Sequence, residues 1–464
     1  AGGRDAAGLW GHGMATYDLN GGKAHGRLPG YAVMNQSSLP CFLSLLLADK
    51  AGIKHPEITA CIAQTHGFYT DFIGRGTLPY GVHEPRASSF NNNGMSGLAA
   101  VAFSVHEDED GAEFFSRMSA AAHNTMESGH TGHFFNQMWT GLGANLAGPE
   151  VSSAFFQKTL WLHTMNRSWD GDFTYDCSEY PNGIFSYRGL SDGGSHLLNL
   201  CLGRKKLFIT GRASDPSIWL TGRDAEELIA LGTLDMAKID EEKLLGYFGH
   251  PMPKPRRDVI GALRGREHVL DRRIAAMIKD GSALERMTAA AYFGHGCPKE
   301  LALTVMDDLG ELLRDSTQGV ELRSKAASSI AALGEDAHAY YNDILRLLLE
   351  EKPEDPRGLI NMDLGRSLVT LCPDPFGSGL VTDRELFYGA VDKLLDHKLA
   401  GARAFGMNMI AKLPLEDFYR VAEKVVHIIE DKDLSYHAYH NLGARTEAIG
   451  LLGTLNIKGG MEAA

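Results

Sequence analysis

Histidine sets the chemical character of the first half of this sequence. His12, His25, His66, His83, His106, His123, His130, His133, His163 and His196 all fall there. An imidazole titrates near neutral pH and serves as acid, base or metal ligand. Buried, it needs hydrogen-bond partners. So many of them predict polar chemistry inside a cavity. The densest group is Glu127, His130, His133 and Asn136. Steps of three residues drift backward around a helix, so all four cannot share one face, although His130 and His133 can. Gly129 and Gly132 weaken the helix and place these two imidazoles at a helix mouth. Two imidazoles there suit anion or metal binding, or acid and base work. No H-E-x-x-H spacing is present and no third ligand is evident, so the metal stays unknown. A capping and packing network is the other reading.

Further polar groups sit between the helical stretches. His83-Glu84 is followed by Asn91, Asn92 and Asn93, which lead into a helix at Gly94. One asparagine can cap that helix. The other two are spare amides beside a base, as recognition of a sugar hydroxyl or a uronate carboxylate requires. Asp170, Asp172, Asp176 and Glu179 form an acidic string, read as turn residues, a calcium loop or a carboxylate pair for glycoside hydrolysis. Tyr187-Arg188 with Asp192 and His196 make another polar cluster. The catalytic candidates are His83, His130, His133 and Tyr187. The substrate-binding candidates are Asn92, Asn93, Trp139 and Arg188.

The elements that must position these groups are helices. Residues 36–50 carry apolar side chains at amphipathic spacing. Residues 56–73 open on a proline, which suits a helix start. Residues 94–105, 111–123, 132–146, 149–165 and 193–202 follow, and no alternating strand run interrupts them. Three copies of a Gly-x-(Leu/Phe)-x-Tyr pattern lie between helices: Gly76-Thr77-Leu78-Pro79-Tyr80, Gly171-Asp172-Phe173-Thr174-Tyr175 and Gly183-Ile184-Phe185-Ser186-Tyr187. Each predicts a sharp turn followed by an extended plug, and together they suggest a ring of helices with the three turns at one end. The texture changes near residue 250, where Pro251, Pro253 and Pro255 forbid helix and mark a boundary. Beyond it, alanine-rich and leucine-rich helices alternate, with 320–333 expected to pair with 340–349 across a Gly334-Glu335-Asp336 turn. One such pair cannot bury its own apolar stripe, but stacked pairs can. The expected organisation is all-α, with a toroid-like domain over 1–250 and a helical solenoid over 251–464.

Composition excludes several classes. The 464 residues carry a net charge of −13 and no useful basic run, which argues against nucleic acid. No long apolar stretch spans a membrane. Six widely spaced cysteines, with no C-x-x-C, read as free thiols and not as a zinc site. No motif requires a cofactor. The chain reads as a mature form or an excised piece of a longer protein, with a secreted or periplasmic setting favoured.

Four strings carry a family resemblance: Gly8-Leu9-Trp10-Gly11-His12-Gly13, Tyr80-Gly81-Val82-His83-Glu84-Pro85, Asn91-Asn92-Asn93-Gly94-Met95-Ser96-Gly97, and Gly129 to Trp139. Together they resemble the uncharacterised bacterial DUF6288 family. Trp169-Asp170-Gly171-Asp172-Phe173 resembles the Gly-aromatic turns of terpenoid-cyclase and protein-prenyltransferase α/α toroids, and the segment 320–349 resembles a HEAT repeat. The resemblance implies a fold and no activity. The cyclase Asp-x-Asp-Asp acid and the prenyltransferase Asp, Cys, His zinc set are both missing. Toroids of this kind resemble polysaccharide lyases, which implies a carbohydrate-active lyase or hydrolase. The alternative is a non-catalytic scaffold that binds a polysaccharide, another ligand or a protein.

Overall fold

The computed structural model describes residues 8–11, 34–81, 84–127, 134–173, 191–264, 266, 270–430 and 442–456. Among them the regular elements are helices, and the only extended pairings are isolated bridges such as Thr77 with Arg86. The chain forms two compact units, 1–235 with 252–254, and 236–251 with 255–464.

The front unit holds α1 (Asn35–Lys50), α2 (Pro56–Thr70), α3 (Met95–His106), α4 (Glu109–Ala120), α5 (Phe134–Leu146), α6 (Pro149–Met165), α7 (Gly193–Leu200) and α8 (Gly222–Ala230). Residues Met95 to Val105 of α3 are all buried. A helix apolar or small on every side belongs in the middle of a bundle, and α1, α4 and α5 surround this one. The approach of α3 to α5 depends on glycine. A Cβ on Gly97 would lie 2.2 Å from the Trp139 carbonyl oxygen, and one on Gly143 would lie 2.4 Å from the Gly97 Cα. From there α5 packs on α6 and α7, and α6 on α8.

The first Gly-x-Leu-x-Tyr copy is pinned from α1. The buried Asn35 amide donates to the carbonyls of Pro79 (3.0 Å) and Gly81 (2.7 Å). Leu78 is fully buried, as a plug should be, but so is Thr77, whose hydroxyl meets Ser96 Oγ at 2.7 Å. The second copy is described only through Phe173, and the third lies outside the described residues.

The rear unit contains α9 (Glu241–Leu244), most of α10 (Pro253–Leu263), α11 (Asp271–Asp280), α12 (Ala283–His295), α13 (Lys299–Leu303), α14 (Met306–Arg314), α15 (Val320–Ala331), α16 (Tyr341–Leu349), α17 (Leu359–Leu371), α18 (Arg384–Leu395), α19 (Ala400–Ile410), α20 (Leu415–Phe418), α21 (Ala422–Glu430) and α22 (Leu442–Asn456). Two expectations change here. The proline run does not exclude helix, because α10 begins at Pro253 and keeps both Pro253 and Pro255 in its first turn, where amide hydrogens have no intrahelical acceptor. The repeat pairing is also offset by one helix. α15 packs on α14 and α16 on α17, while α12, α15, α17, α19 and α22 follow one another as one row and α11, α14, α16, α18 and α21 as the other. α15 makes row contacts with α12 and α17. Its Ser329 approaches so close to α12 that a Cβ on Gly294 would be 2.8 Å from Ser329 Cα. The 3-10 segment Gly334–Tyr340 leads from α15 to α16, from one row to the other.

His397 gives this unit an acid-sensitive joint. Its Nδ1 accepts from the Leu399 amide at 3.0 Å, which requires that nitrogen to be unprotonated. Burial first, then Arg403, Lys393, Lys398 and Lys352, push the imidazole down to about 4. A depressed histidine contributes stability that is complete above its unfolded pKa, near 6.5, and is lost as pH falls toward 4. The cost of acidification is on the order of 2 kcal/mol. His397→Asn keeps an acceptor at the Nδ1 position without the titration. The melting temperature of that variant is expected to fall less between pH 7 and 4.5 than that of the wild type. Equal falls would show that His397 is not the joint.

Candidate functional site

Three helices of the front unit bring their polar side chains together at one place. Gln137 comes from α5, His163 from α6, and Ser195, His196 and Asn199 from α7, with Asp192 immediately ahead of α7. The Asn199 amide ties α7 to α5 by donating to the Gln137 carbonyl at 2.8 Å, and also reaches the Ser195 carbonyl at 2.8 Å. Gly141 makes room, since a Cβ there would lie 2.2 Å from Asn199 Oδ1. The turn after α6 closes the arrangement. The Asp192 amide donates to the Phe173 carbonyl at 2.7 Å, and the Phe173 ring stacks on His196 with centroids 4.1 Å apart and planes 15° apart.

The two imidazoles meet nitrogen to nitrogen. His163 Nδ1 and His196 Nδ1 are 2.8 Å apart, and the Gln137 side-chain amide lies 3.3 Å from the same His163 nitrogen. At that distance one ring donates and the other accepts. On its far side His196 Nε2 lies 3.8 Å from Asp192 Oδ2. His196 and Asp192 are buried, whereas His163 is partly exposed. Burial raises the Asp192 carboxyl to about 6, opposed by the hydrogen bond from Ser195. Burial lowers the His163 imidazole. The shift places the Asp192 carboxyl, beside two imidazoles, in the range where acid–base catalysis works. Ser195 Oγ donates to Asp192 and not to an imidazole, so no serine–histidine nucleophile is formed among these groups.

The other polar groups resolve into supports. Asn91 caps α3 by accepting from the Ser96 amide (3.1 Å), and its amide donates to Asn136 Oδ1 (2.9 Å) and Thr140 Oγ1 (3.0 Å). Asn136 Oδ1 also takes the Gly94 amide at 2.7 Å. Asn93 is buried with φ of 48°, and the carbonyl of Asn92 accepts from the Met95 amide. Trp139 is buried in α5 beside Gly94 and Gly97. His123 bonds the Ile229 carbonyl at 2.9 Å in the core. His66 Nε2 meets Asp108 Oδ2 at 2.7 Å while Asp108 Oδ1 caps α4, so this pair clasps α2 to α4. Asp170 and Asp172 accept bonds within their own turn, from the Asp172 and Phe173 amides.

Among the described residues, no hydrogen bond joins Asn92, Asn93 or Trp139 to His163 or His196. His83, His130, His133, Tyr187 and Arg188 lie outside the described residues, as do Asp176 and Glu179. Among the described residues no group of three or more His, Cys, Asp or Glu side chains is arranged to hold a metal ion, no disulfide joins Cys41, Cys61, Cys201, Cys297 and Cys372, and no helix is long and apolar enough to cross a membrane. The sequence put Asp192 and His196 in one polar cluster with Tyr187 and Arg188. Their link to His163, from another helix, had no spacing to announce it.

Residues 1–211 match the family model described as Domain of unknown function (DUF6288), a span that includes Gln137, His163, Asp192 and His196. No curated protein and no solved structure matches the chain.

Proposed function

We propose that the front unit is a carbohydrate-active enzyme domain that cleaves a glycosidic bond by acid–base chemistry, with His163 as the group that meets the substrate. One observation carries this reading: His163 and His196 share a hydrogen bond at 2.8 Å, with the Asp192 carboxyl behind them. A hydrogen-bonded chain of two imidazoles and a carboxyl can store and move a proton, and its His163 end is partly exposed. The surface nearby in sequence favours a sugar. Trp161 on α6 is 47% exposed, and Trp169, in the turn that delivers Phe173, is 98% exposed. Indole faces suit the apolar faces of pyranose rings, and their N–H suits hydroxyls.

In this reading the helices of the front unit are arranged as an α/α toroid, and the rear unit is a HEAT-like scaffold whose stacked rows offer an extended surface. Tyr187 and Arg188, just ahead of Asp192 in sequence, are the candidates to protonate a leaving oxygen and to pair with a uronate carboxylate.

The test is a panel of neutral and uronate oligosaccharides, with binding followed by calorimetry and cleavage by the appearance of new reducing ends. Hydrolysis and elimination both create such ends, and only elimination leaves an unsaturated uronate. One class of sugar is expected to be bound and cleaved, with Trp169→Ala weakening binding. A panel that is neither bound nor cleaved would leave the front unit as a binding or assembly module for another partner.

A further inference from the structure

The hydrogen bond between His163 and His196 has a property that neither ring has alone. Its two nitrogens hold one hydrogen between them, and each neutral imidazole carries a single N–H. Fixing the hydrogen on one ring therefore fixes the tautomer of the other, and with it the state of the outer atom, His163 Nε2. We propose that Asp192 is a positioning residue that sets, through His196, whether His163 presents a lone pair or an N–H at its outer nitrogen. This rests on the acid–base reading of the same site.

Two states follow. When Asp192 is a carboxylate, it accepts the His196 Nε2 hydrogen. The His196 Nδ1 must then accept from His163 Nδ1–H, and His163 Nε2 faces outward as a base. When Asp192 is a carboxylic acid, its hydroxyl donates to His196 Nε2. The His196 Nδ1–H then donates to His163 Nδ1, and His163 Nε2–H faces outward as an acid. The two states differ by one proton. In passing from the second to the first, His163 Nε2 releases its hydrogen to the acceptor outside, the His196 Nδ1 hydrogen moves to His163 Nδ1, and the Asp192 hydrogen moves to His196 Nε2. No imidazolium is left behind. The longest gap is the 3.8 Å between His196 Nε2 and Asp192 Oδ2. Side-chain rotation of about 1 Å brings that pair to hydrogen-bond distance.

The surroundings allow both states. Gln137 presents an amide to His163 Nδ1, and an amide can donate through nitrogen or, turned over, accept through oxygen. Ser195, from the same helix as His196, donates to Asp192. Phe173 covers a face of His196 without titrating. Among the described residues, Asp172 also lies near the start of α7, and it accepts from Ser191 Oγ at 3.1 Å. Burial holds the Asp192 carboxyl near 6, so both states are populated around neutral pH.

The experiment uses the full chain with ring-15N histidine. His163 is assigned by the signals that vanish in His163→Gln, and spectra are taken between pH 5.5 and 7.5. His163 is expected to carry its hydrogen on Nε2 at the low end and on Nδ1 at the high end, so its two nitrogens exchange pyrrole-like and pyridine-like shifts. Asp192→Asn is expected to hold a single tautomer across the range. A wild-type His163 that keeps one tautomer throughout overturns the proposal, as does continued switching in Asp192→Asn. If that variant fails to fold, the wild-type series decides alone. Switching without cleavage of any sugar would keep the relay and remove the glycosidic reading, and cleavage without switching would do the reverse.

Discussion

Replacing Gly97 by alanine is expected to destabilise the front unit by about 3 kcal/mol or more, the upper end of what overpacking costs. The added methyl would lie 2.2 Å from the Trp139 carbonyl oxygen and 2.6 Å from its carbon. These are backbone atoms of α5, and no rotamer change can clear them. Either α5 moves away from α3 or the bundle opens. Movement of α5 would carry Gln137 away from His163 and strain the Asn199 link to the Gln137 carbonyl. Gly67, in the last turn of α2, supplies the contrast. A methyl there meets nothing within 4 Å. Gly67→Ala is expected to stabilise by about 0.5–1 kcal/mol, the ordinary helix preference of alanine. Chemical denaturation of both variants checks the pair. Equal and small effects would mean that the α3–α5 approach is not tight.

The second large effect is on catalysis. Removing a general acid or base from its site typically costs about 10²–10⁴ in rate. On the proposed reading, His163→Ala is expected to lose that much in kcat on any sugar that is cleaved, with KM little changed, because the indoles would hold the ring and His163 would act on the bond. His163→Gln tests the same role with less disturbance, since an amide can still bond to His196 Nδ1 yet neither takes up nor releases a proton near neutral pH. A loss confined to KM would make His163 a binding group. Retention of full activity in both variants would move the chemistry elsewhere.

Fold class was legible in the sequence because helical periodicity and proline at a helix start are local signals. The ranges 56–73 and 149–165 contain α2 and α6, whose first residues are Pro56 and Pro149. What failed was the inference from a local rule to a global pairing. Three prolines were read as a helix stop when two of them open α10. The alanine-rich α15 was paired with the next leucine-rich helix, although along its row it packs on α12 and α17. The site divides in the same way. Asn91 capping α3 is a short-range contact that spacing anticipates. The bond from His163 to His196 joins α6 to α7 across 33 residues, and only packing reveals it. Clustered histidines drew attention to residues 130 and 133, while the described imidazole network is built from single histidines on separate helices.

Asp192, His196 and His163 are expected to handle a proton as one unit. The pH dependence of kcat/KM, measured for the wild type and for Asp192→Asn on a sugar that is cleaved, tests it most directly. A step that needs His163 as base should gain rate as Asp192 ionises, giving a rising limb centred near 6 in the wild type. In Asp192→Asn that limb should vanish, leaving a lower plateau and a fall only where His163, whose imidazole burial lowers, itself takes up a proton. Two profiles of the same shape and midpoint would show that Asp192 does not act on His163.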